Sequence, residues 1–287
     1  MWLVLAGLTA LFTSLTDVLS RKIIHKVDVV IVAWAWAFFS LPILYTIALM
    51  QPPVALGPQF FPALIISTLI LTVANILYFK AIKVSDLSLT VPMLAFTPLF
   101  LLITSPIMLN EVPRPLGMIG VLFIVGGSYI LHFGGRHQGV GAPLRNLLKT
   151  PGSRYMLTVA FLYSIGGNID KIGVRNSSAL IWGSAINTGL AASLGIIAWY
   201  RSKNFILQIR KAWVFLGLIG VAISLAVISQ MNAIQLTLVP YVIAVKRTSI
   251  IMTSILGFVV FKERGFKERL SGVILMIAGV FLIYIFQ

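Results

Sequence analysis

The sequence predicts an all-α polytopic membrane protein whose ten transmembrane helices form two inverted five-helix repeats. The first supporting observation is composition: of 287 residues, 59% are hydrophobic and 10% are charged, and the mean hydropathy is +1.01. Soluble domains do not have such a composition. A bilayer core about 30 Å thick needs roughly 20 apolar residues per helical crossing. Because apolar runs of this length follow one another along the chain, we expect nearly all of it to lie in the membrane.

The second observation is the number of apolar segments. Proline, glycine and charged residues separate ten segments, each about long enough for one crossing. We expect the first segment to be a retained helix, because it lacks the basic region and the clear cleavage site of a signal peptide. The ten predicted segments are residues 2–20, 29–50, 61–82, 87–109, 115–133, 155–173, 179–200, 212–235, 239–261 and 268–286.

The third observation is a division of the chain into two similar halves. The connector "HFGGRHQGVGAPLRNLLKTPGSRY", residues 132–155, is rich in Gly, Pro and basic residues, as surface linkers are. Five apolar segments precede it and five follow it. We therefore predict a first repeat at residues 1–135, a linker at 136–154 and a second repeat at 155–287.

Superposing the two halves indicates that they are related as an internal repeat. A shift of 152 residues places Glu111 over Glu263, Gly120 over Gly272 and Gly127 over Gly279. Because each half has an odd number of crossings, the two copies enter the membrane in opposite directions. Inverted repeats of this kind are the plan of many secondary transporters, which bind their substrate near the membrane midplane between the repeats.

The basic residues predict the orientation of the chain. Seventeen Lys and Arg residues lie in or near the connectors after segments 1, 3, 5, 7 and 9, whereas only Arg114, Lys171 and Arg175 lie on the other side. Cytoplasmic connectors carry the excess of Lys and Arg. We therefore expect both termini to be extracytoplasmic in the inner (plasma) membrane. The formal net charge of +15 is interpreted as an attraction to anionic lipid headgroups of the bilayer rather than to nucleic acid.

Two motifs carry a resemblance to a known family. The first half closes with "LNEVPRPLGMIGVLFIVGGSYIL" and the second with "FKERGFKERLSGVILMIAGVFLIYI". In each, a Glu at the start of a short turn precedes a Gly-containing final helix. The chain resembles the EamA family of the drug/metabolite transporter superfamily over its whole length. The resemblance implies a ten-helix transporter, in a superfamily whose substrates include amino acids, amines, nucleotide sugars and phosphorylated metabolites.

Lys246 and Arg247 are adjacent cations inside the apolar segment "VPYVIAVKRTSIIMTSILGF". Each charge costs roughly 2.5–3.5 kcal/mol at the centre of a membrane helix, so the pair indicates a function. It resembles the Lys-Arg pair with which triose-phosphate/phosphate translocators hold a phosphate group in their ninth helix. In the alternative interpretation, Lys246 snorkels to the surface and Arg247 pairs with an acid or with free carbonyl groups.

Further candidates are polar or aromatic groups at membrane depth, where an unbonded polar group is costly. Asp170 and Asp17 are candidates for a counter-ion or a proton carrier, or else for helix-end acids that pair locally with Lys171 or Arg21. The other candidates either line a substrate cavity or bond to neighbouring helices. These candidate substrate-binding residues are Trp34, Asn75, Tyr78, Tyr163, Asn168, Trp182 and Gln230.

The predicted function is secondary transport of a small polar metabolite by alternating access, with a phosphate or carboxylate group bound by Lys246 and Arg247. The first alternative is an exporter of amino acids or organic cations with an aromatic-lined cavity, in which Trp34, Trp36 or Trp182 stacks on a cationic head. A lipid flippase-type or accessory protein and a membrane-embedded enzyme are further alternatives. No catalytic constellation or metal-ligand spacing is present in the sequence, so we expect neither an enzyme nor a cofactor. A proton or a counter-substrate is a candidate coupling partner.

Overall fold

The computed structural model describes residues 1–24, 26–84, 91–133, 150–253, 255 and 270–287, and these residues are almost entirely helical. Most of the predicted linker and the position of Glu263 lie outside this part of the chain. The described helices are α1 Trp2–Ile23, α2 Val29–Phe38, α3 Leu41–Leu49, α4 Phe60–Val84, a 3₁₀ helix Val91–Phe96, α5 Thr97–Leu109, α6 Pro115–Phe133, α7 Pro151–Arg175, α8 Ala179–Arg201, α9 Phe205–Leu236, α10 Val239–Lys246 and α11 Leu270–Phe286.

Several of these helices are long and apolar enough to cross a membrane. In the described part of the chain they are α1, α2 with α3, α4 up to Ala81, α8 and α9. Shorter apolar helices cover Met93–Leu109, Pro115–Leu131 and Leu270–Phe286. The helical content and the apolar spans confirm the predicted fold class of an all-α membrane protein.

Two helices begin earlier than their apolar runs predict. α9 starts at Phe205 rather than at residue 212 and has 32 residues. α7 starts at Pro151 rather than at residue 155. Pro151 suits the first helical position because the amide group it lacks would have no partner there. The Thr150 hydroxyl donates to the Ser153 hydroxyl over 2.7 Å and stabilises this turn. Dividing the segments at charged residues missed both starts, because Arg210 and Lys211 lie in the first turns of α9 and Arg154 lies in the first turn of α7.

The second predicted segment is broken between α2 and α3. Pro42 lacks an amide hydrogen and cannot continue the α2 hydrogen-bond pattern. The Ser224 hydroxyl of α9 donates to the Gly220 carbonyl over 2.6 Å and lies 3.3 Å from the Ser40 carbonyl, so α9 approaches the backbone closely at this break. A side chain at Gly220 would collide with the Phe39 backbone. The kink therefore depends on the small residues of α9 that face it.

The fourth segment of each repeat departs from regular α-helix. In the first repeat, the 3₁₀ helix Val91–Phe96 precedes α5. In the second, α10 ends at Lys246, a turn covers residues 247 and 248, and helix resumes at residues 249–253. The Thr248 amide donates to the Val245 carbonyl three residues back, over 2.9 Å. The shift of 152 residues superposes Ala95 and Phe96, at the end of the 3₁₀ helix, on the turn at residues 247 and 248, so the two fourth segments are irregular at equivalent positions.

The chain divides into two compact units, each of which draws on both halves of the sequence. Unit 1 comprises Met1–Val73 and Ile169–Leu236, and it therefore contains α1–α3, α8 and α9. Unit 2 comprises Ala74–Asn168 and Thr237–Gln287, and it contains α5, α6, α10 and α11. The long helices α4 and α7 each contribute one part to unit 1 and the other part to unit 2.

Within unit 2, the fifth helix of each repeat packs against the other through glycines. A methyl group built at Gly120 would lie 2.7 Å from the Gly279 carbonyl oxygen, and one at Gly279 would lie 2.5 Å from that of Gly120. A methyl group at Gly127 would lie 2.5 Å from the Gly272 carbonyl oxygen, and one at Gly272 would lie 2.6 Å from that of Gly127. The repeat equivalent of Gly120 is Gly272, and that of Gly279 is Gly127. The contact between Gly120 and Gly279 is therefore equivalent to the contact between Gly272 and Gly127. Such a self-complementary contact is the signature of a two-fold relation between two copies.

The start of α10 is fixed by the connector between α5 and α6. Glu111 is buried, and its Oε2 accepts a hydrogen bond from the Val239 amide over 3.2 Å. The Arg114 amide donates to the Tyr241 hydroxyl over 3.2 Å, and Gly117 leaves room for that hydroxyl. Glu111 of the first repeat therefore caps a helix of the second repeat. These contacts set the position of Lys246, about 10 Å further along the helix.

Replacing Gly120 by Ala should lower the free energy of unfolding by about 1–3 kcal/mol, because the methyl group would push against backbone rather than a movable side chain. Denaturation in sodium dodecyl sulfate, followed by circular dichroism, measures the change. Gly126→Ala is the matched control, because a methyl group there meets only Leu275 Cδ2 at an ordinary 3.6 Å. Equal stability of the two variants would contradict the glycine contact.

Glu111→Ala should destabilise the protein by about 1–2 kcal/mol, because the first-turn amide of α10 loses its acceptor. The same denaturation experiment measures this loss. Glu111→Gln keeps a side-chain oxygen at the same distance from the backbone and should recover most of the stability. If Glu111→Gln were as unstable as Glu111→Ala, the negative charge rather than the hydrogen bond would be responsible.

Candidate functional site

The candidate site in unit 2 is built around the end of α10. Lys246 is the last residue of this helix, Arg247 follows it as the cap residue, and both side chains are half-buried. Adjacent helical residues point about 100° apart, so the two cations can border one space without pointing in the same direction. Residues 239–245, which precede them, are all buried. The pair therefore lies at the end of a buried helix rather than on a charged surface.

Thr97 holds the guanidinium of Arg247 in place. Arg247 Nη2 donates to Thr97 Oγ1 over 2.9 Å. The Thr97 hydroxyl in turn donates to the Leu94 carbonyl over 2.7 Å. A threonine hydroxyl has one hydrogen and two lone pairs. Because the hydrogen is used on Leu94, a lone pair faces Arg247 and fixes one corner of the guanidinium.

Two predicted tyrosines belong to the same unit as this arginine. Tyr163 and Tyr78 both pack against a buried cluster that includes Met93 and Met156. Leu94, whose carbonyl accepts from Thr97, packs on this cluster as well. The cluster therefore links the tyrosines to the segment that positions Arg247.

Asn168 is the centre of a buried hydrogen-bond network in unit 2. Its Oδ1 accepts from the Ser105 hydroxyl over 2.7 Å, and its Nδ2 donates to Thr104 Oγ1 over 3.0 Å. The Ser164 hydroxyl lies 3.4 Å from that of Thr104. Asn168 is fully buried, so interhelical bonding is the role that the structure shows for its amide.

Asp170 and Trp182 form a second buried polar site, in unit 1. Trp182 Nε1 donates to Asp170 Oδ1 over 2.9 Å, and both residues are buried. A side chain at Gly173 would overlap the indole ring, so this glycine allows the tryptophan to lie against α7. Lys171, the neighbour of Asp170, is buried too. The indole is thus used to hold a carboxylate inside the unit.

Trp34 lies in the hydrophobic core of unit 1. Its ring stacks on Phe38 with centroids 4.6 Å apart and meets Phe205 edge-on at 5.2 Å. Leu194 and Leu216 belong to the same core. Trp36, on another face of α2, donates to the Ser20 hydroxyl over 3.1 Å. Both indoles contribute to packing within the unit.

The structure distributes the remaining candidates over both units. Asn75 belongs to unit 2, and Asp17 and Gln230 belong to unit 1. All three are half-buried and engage in at least one polar, charge or ring interaction. In the described part of the chain, no three His, Cys, Asp or Glu residues are grouped as metal ligands would be.

Sequence reasoning missed Thr97 as a partner of Arg247. A usable signal was present, because the shift of 152 residues superposes Ala95 on Arg247 and so places Thr97 two positions from the equivalent site. In a two-fold arrangement, the fourth helices of the two repeats face each other near such equivalent positions. The hydroxyl group close to that point identifies the partner.

Comparison with known proteins agrees with the repeat and with the fold. The model of the EamA-like transporter family matches residues 1–133 and 150–285. A solved structure titled "Crystal structure of protein" shares the fold with a TM-score of 0.80 at 14% identity, covering 99% of this chain and 96% of the other. No curated protein matches the chain. The family match covers both repeats, as the motifs around Glu111 and Glu263 predicted. The chain therefore belongs to the EamA-like transporter family, within the drug/metabolite transporter superfamily.

Proposed function

We propose that this transporter carries a small polar metabolite with a phosphate or carboxylate group by alternating access, and that Lys246 and Arg247 bind the anionic group. The observation that supports this most is the placement of Arg247 at the end of a buried helix, with one corner of its guanidinium held by Thr97. A positioned guanidinium is suited to bidentate binding of a carboxylate or phosphate, and the adjacent Lys246 adds a point charge.

The hydrogen bond from Arg247 to Thr97 is compatible with substrate binding. Arginine carries five N–H donors in a rigid planar arrangement, so it can keep one structural hydrogen bond while two others bind an anion. Holding the side chain in advance reduces the conformational entropy that is lost when the substrate binds. Thr97 is therefore proposed as a residue that positions Arg247.

The two repeats differ where the cations lie. The shift of 152 residues superposes Lys246 on Leu94 and Arg247 on Ala95. The first repeat builds the corresponding helix without any charge, so the fold itself does not require the pair. A structural role remains as the competing explanation, because Lys246 in the last turn of α10 also complements the helix dipole.

The alternative of an amine or drug exporter receives less support from the described residues. Its cation-binding surface would use Trp34, Trp36 or Trp182. Trp34 and Trp182 are buried inside unit 1, and the half-buried Trp36 donates to the Ser20 hydroxyl. The resemblance of the cation pair to triose-phosphate/phosphate translocators stays a prediction. Location in the inner membrane with both termini extracytoplasmic, and coupling to a proton or counter-substrate, belong to the same proposal.

Replacing both cations, Lys246→Ala with Arg247→Ala, should abolish binding of the anionic substrate class. A thermal-shift screen of the purified protein with inorganic phosphate, glycerol phosphate, malate, glutamate and tetraethylammonium identifies that class. We expect stabilisation by at least one phosphate or carboxylate compound, and its loss in the double variant. Uptake of the same compound into proteoliposomes should fall at least tenfold, since a charge-assisted hydrogen bond contributes about 1.5–3 kcal/mol.

Arg114→Ala is the matched control for the double variant, because it removes an exposed cation from the same unit. This variant should bind and transport the compound as the unmodified protein does. Stabilisation by tetraethylammonium alone would favour the amine exporter. Normal anion transport by the double variant would overturn the proposed site.

Thr97→Val should raise the KM for the anionic substrate several-fold and leave kcat less affected. Valine has nearly the shape of threonine but cannot accept the hydrogen bond from Arg247, so the guanidinium loses its positioning contact. Thr97→Ser retains the hydroxyl and should restore the KM. An unchanged KM in Thr97→Val would show that this contact does not serve substrate binding.

A further inference from the structure

Two connectors of unit 1 form a basic surface that neither the proposed transport site nor the family match explains. The α1–α2 connector with the end of α1 carries Arg21, Lys22 and Lys26, and the α8–α9 connector with its flanking turns carries Arg201, Lys203, Arg210 and Lys211. All seven side chains are exposed. Asp28 is the one acidic residue in these two stretches of sequence, 21–28 and 201–211.

Gln208 joins the two connectors. Its Oε1 accepts from the Asp28 amide over 2.8 Å, and its Nε2 donates to Asp28 Oδ2 over 3.1 Å. The same Nε2 donates to the Lys203 carbonyl over 2.7 Å. The carboxylate of Asp28 is thus used in a structural contact. The two connectors that carry the cations therefore meet at this contact.

A hollow of about 470 Å³ lies beside the Gln208 contact, between the end of α8 and the start of α9. Its walls include Trp199, Phe205, Ser202 and Arg210. Trp199 meets Phe205 edge-on at 5.7 Å, and Phe205 in turn meets the core residue Trp34 at 5.2 Å. The aromatic wall is therefore anchored in the hydrophobic core, and Arg210 lines the same hollow.

The length of α9 indicates where this hollow lies relative to the bilayer. Thirty-two residues span about 48 Å, whereas the hydrocarbon core is about 30 Å thick. The first turns of α9, with Arg210 and Lys211, can therefore extend into the headgroup region. Trp213 and Val214 directly follow these cations and are exposed. Charged residues and exposed apolar residues thus meet at one level, as they do at a membrane interface.

We propose that this surface is a binding site for the headgroup of an anionic phospholipid, with Arg210 and Lys203 contacting the phosphate and Trp199 contacting the glycerol and upper acyl region. A lipid matches both features of the hollow, because its phosphate lies directly beside apolar chains. A free phosphate would satisfy Arg210 but leave the aromatic wall uncovered. The site takes a phosphodiester with attached acyl chains. Its residues belong to unit 1, whereas those of the proposed transport site belong to unit 2.

The test compares phosphatidylglycerol with phosphatidylcholine on the purified full-length chain by native mass spectrometry. We expect tighter binding of phosphatidylglycerol. Lys203→Gln with Arg210→Gln should weaken it about 30-fold, since each cation near the headgroups contributes about fivefold. Phosphatidylcholine binding should weaken less, because its choline group already neutralises the charge of its phosphate. Lys80→Gln with Arg154→Gln, which removes two exposed cations from unit 2, is the matched control and should leave the preference intact.

Two further binding measurements leave Lys203 and Arg210 unmodified. Soluble glycerol phosphate should fail to displace phosphatidylglycerol, because it lacks acyl chains. Trp199→Ala should weaken both lipids by a similar factor, because it removes only the apolar wall. Equal affinity for the two lipids, equal losses in the two double variants, or displacement by glycerol phosphate would each overturn the lipid site.

Discussion

The rest of the structure depends on one constraint: in the hydrocarbon core every backbone amide and carbonyl group must be bonded within the protein. Regular helices meet this requirement by themselves, and side chains meet it where helices are interrupted. Glu111 accepts from the first-turn amide of α10, and Thr97 bonds to the Leu94 carbonyl beside the 3₁₀ helix. The candidate transport site is thus built where backbone irregularity already requires polar side chains.

The two repeats use the same scaffold for different purposes. Glycines on the fifth helices contact one another reciprocally, so backbone packing obeys the two-fold relation. The fourth segment of each repeat departs from regular α-helix, yet only that of the second repeat carries Lys246 and Arg247. Symmetry of the backbone and asymmetry of the charge are compatible, because helix packing depends on small residues whereas binding depends on a few polar groups. A carrier can therefore acquire a substrate site in one repeat without altering the fold.

Exposed and half-buried cations have distinct physical roles in this chain. Exposed Lys and Arg residues in the connectors are hydrated and interact with lipid headgroups at little cost. Lys246 and Arg247 lie at the end of a buried helix, where desolvation is costly unless hydrogen bonds or a bound anion compensate. Thr97 supplies one such hydrogen bond. The proposed lipid site and the proposed substrate site thus both recognise anionic groups. The cations of the first are exposed, and those of the second are half-buried.

The sequence by itself determined the fold class, the internal repeat and the family, because hydropathy, segment length and the glutamate-glycine motifs are properties of the chain. It also singled out Lys246 and Arg247, since charges in an apolar segment are visible without coordinates. Tertiary structure decided which groups meet. A helix that is apolar on all sides has no periodicity to show its inward face, so the sequence could not show that Trp34 packs in a core. Nor could it show that Glu111 caps a helix of the other repeat, because such contacts join residues far apart in the chain.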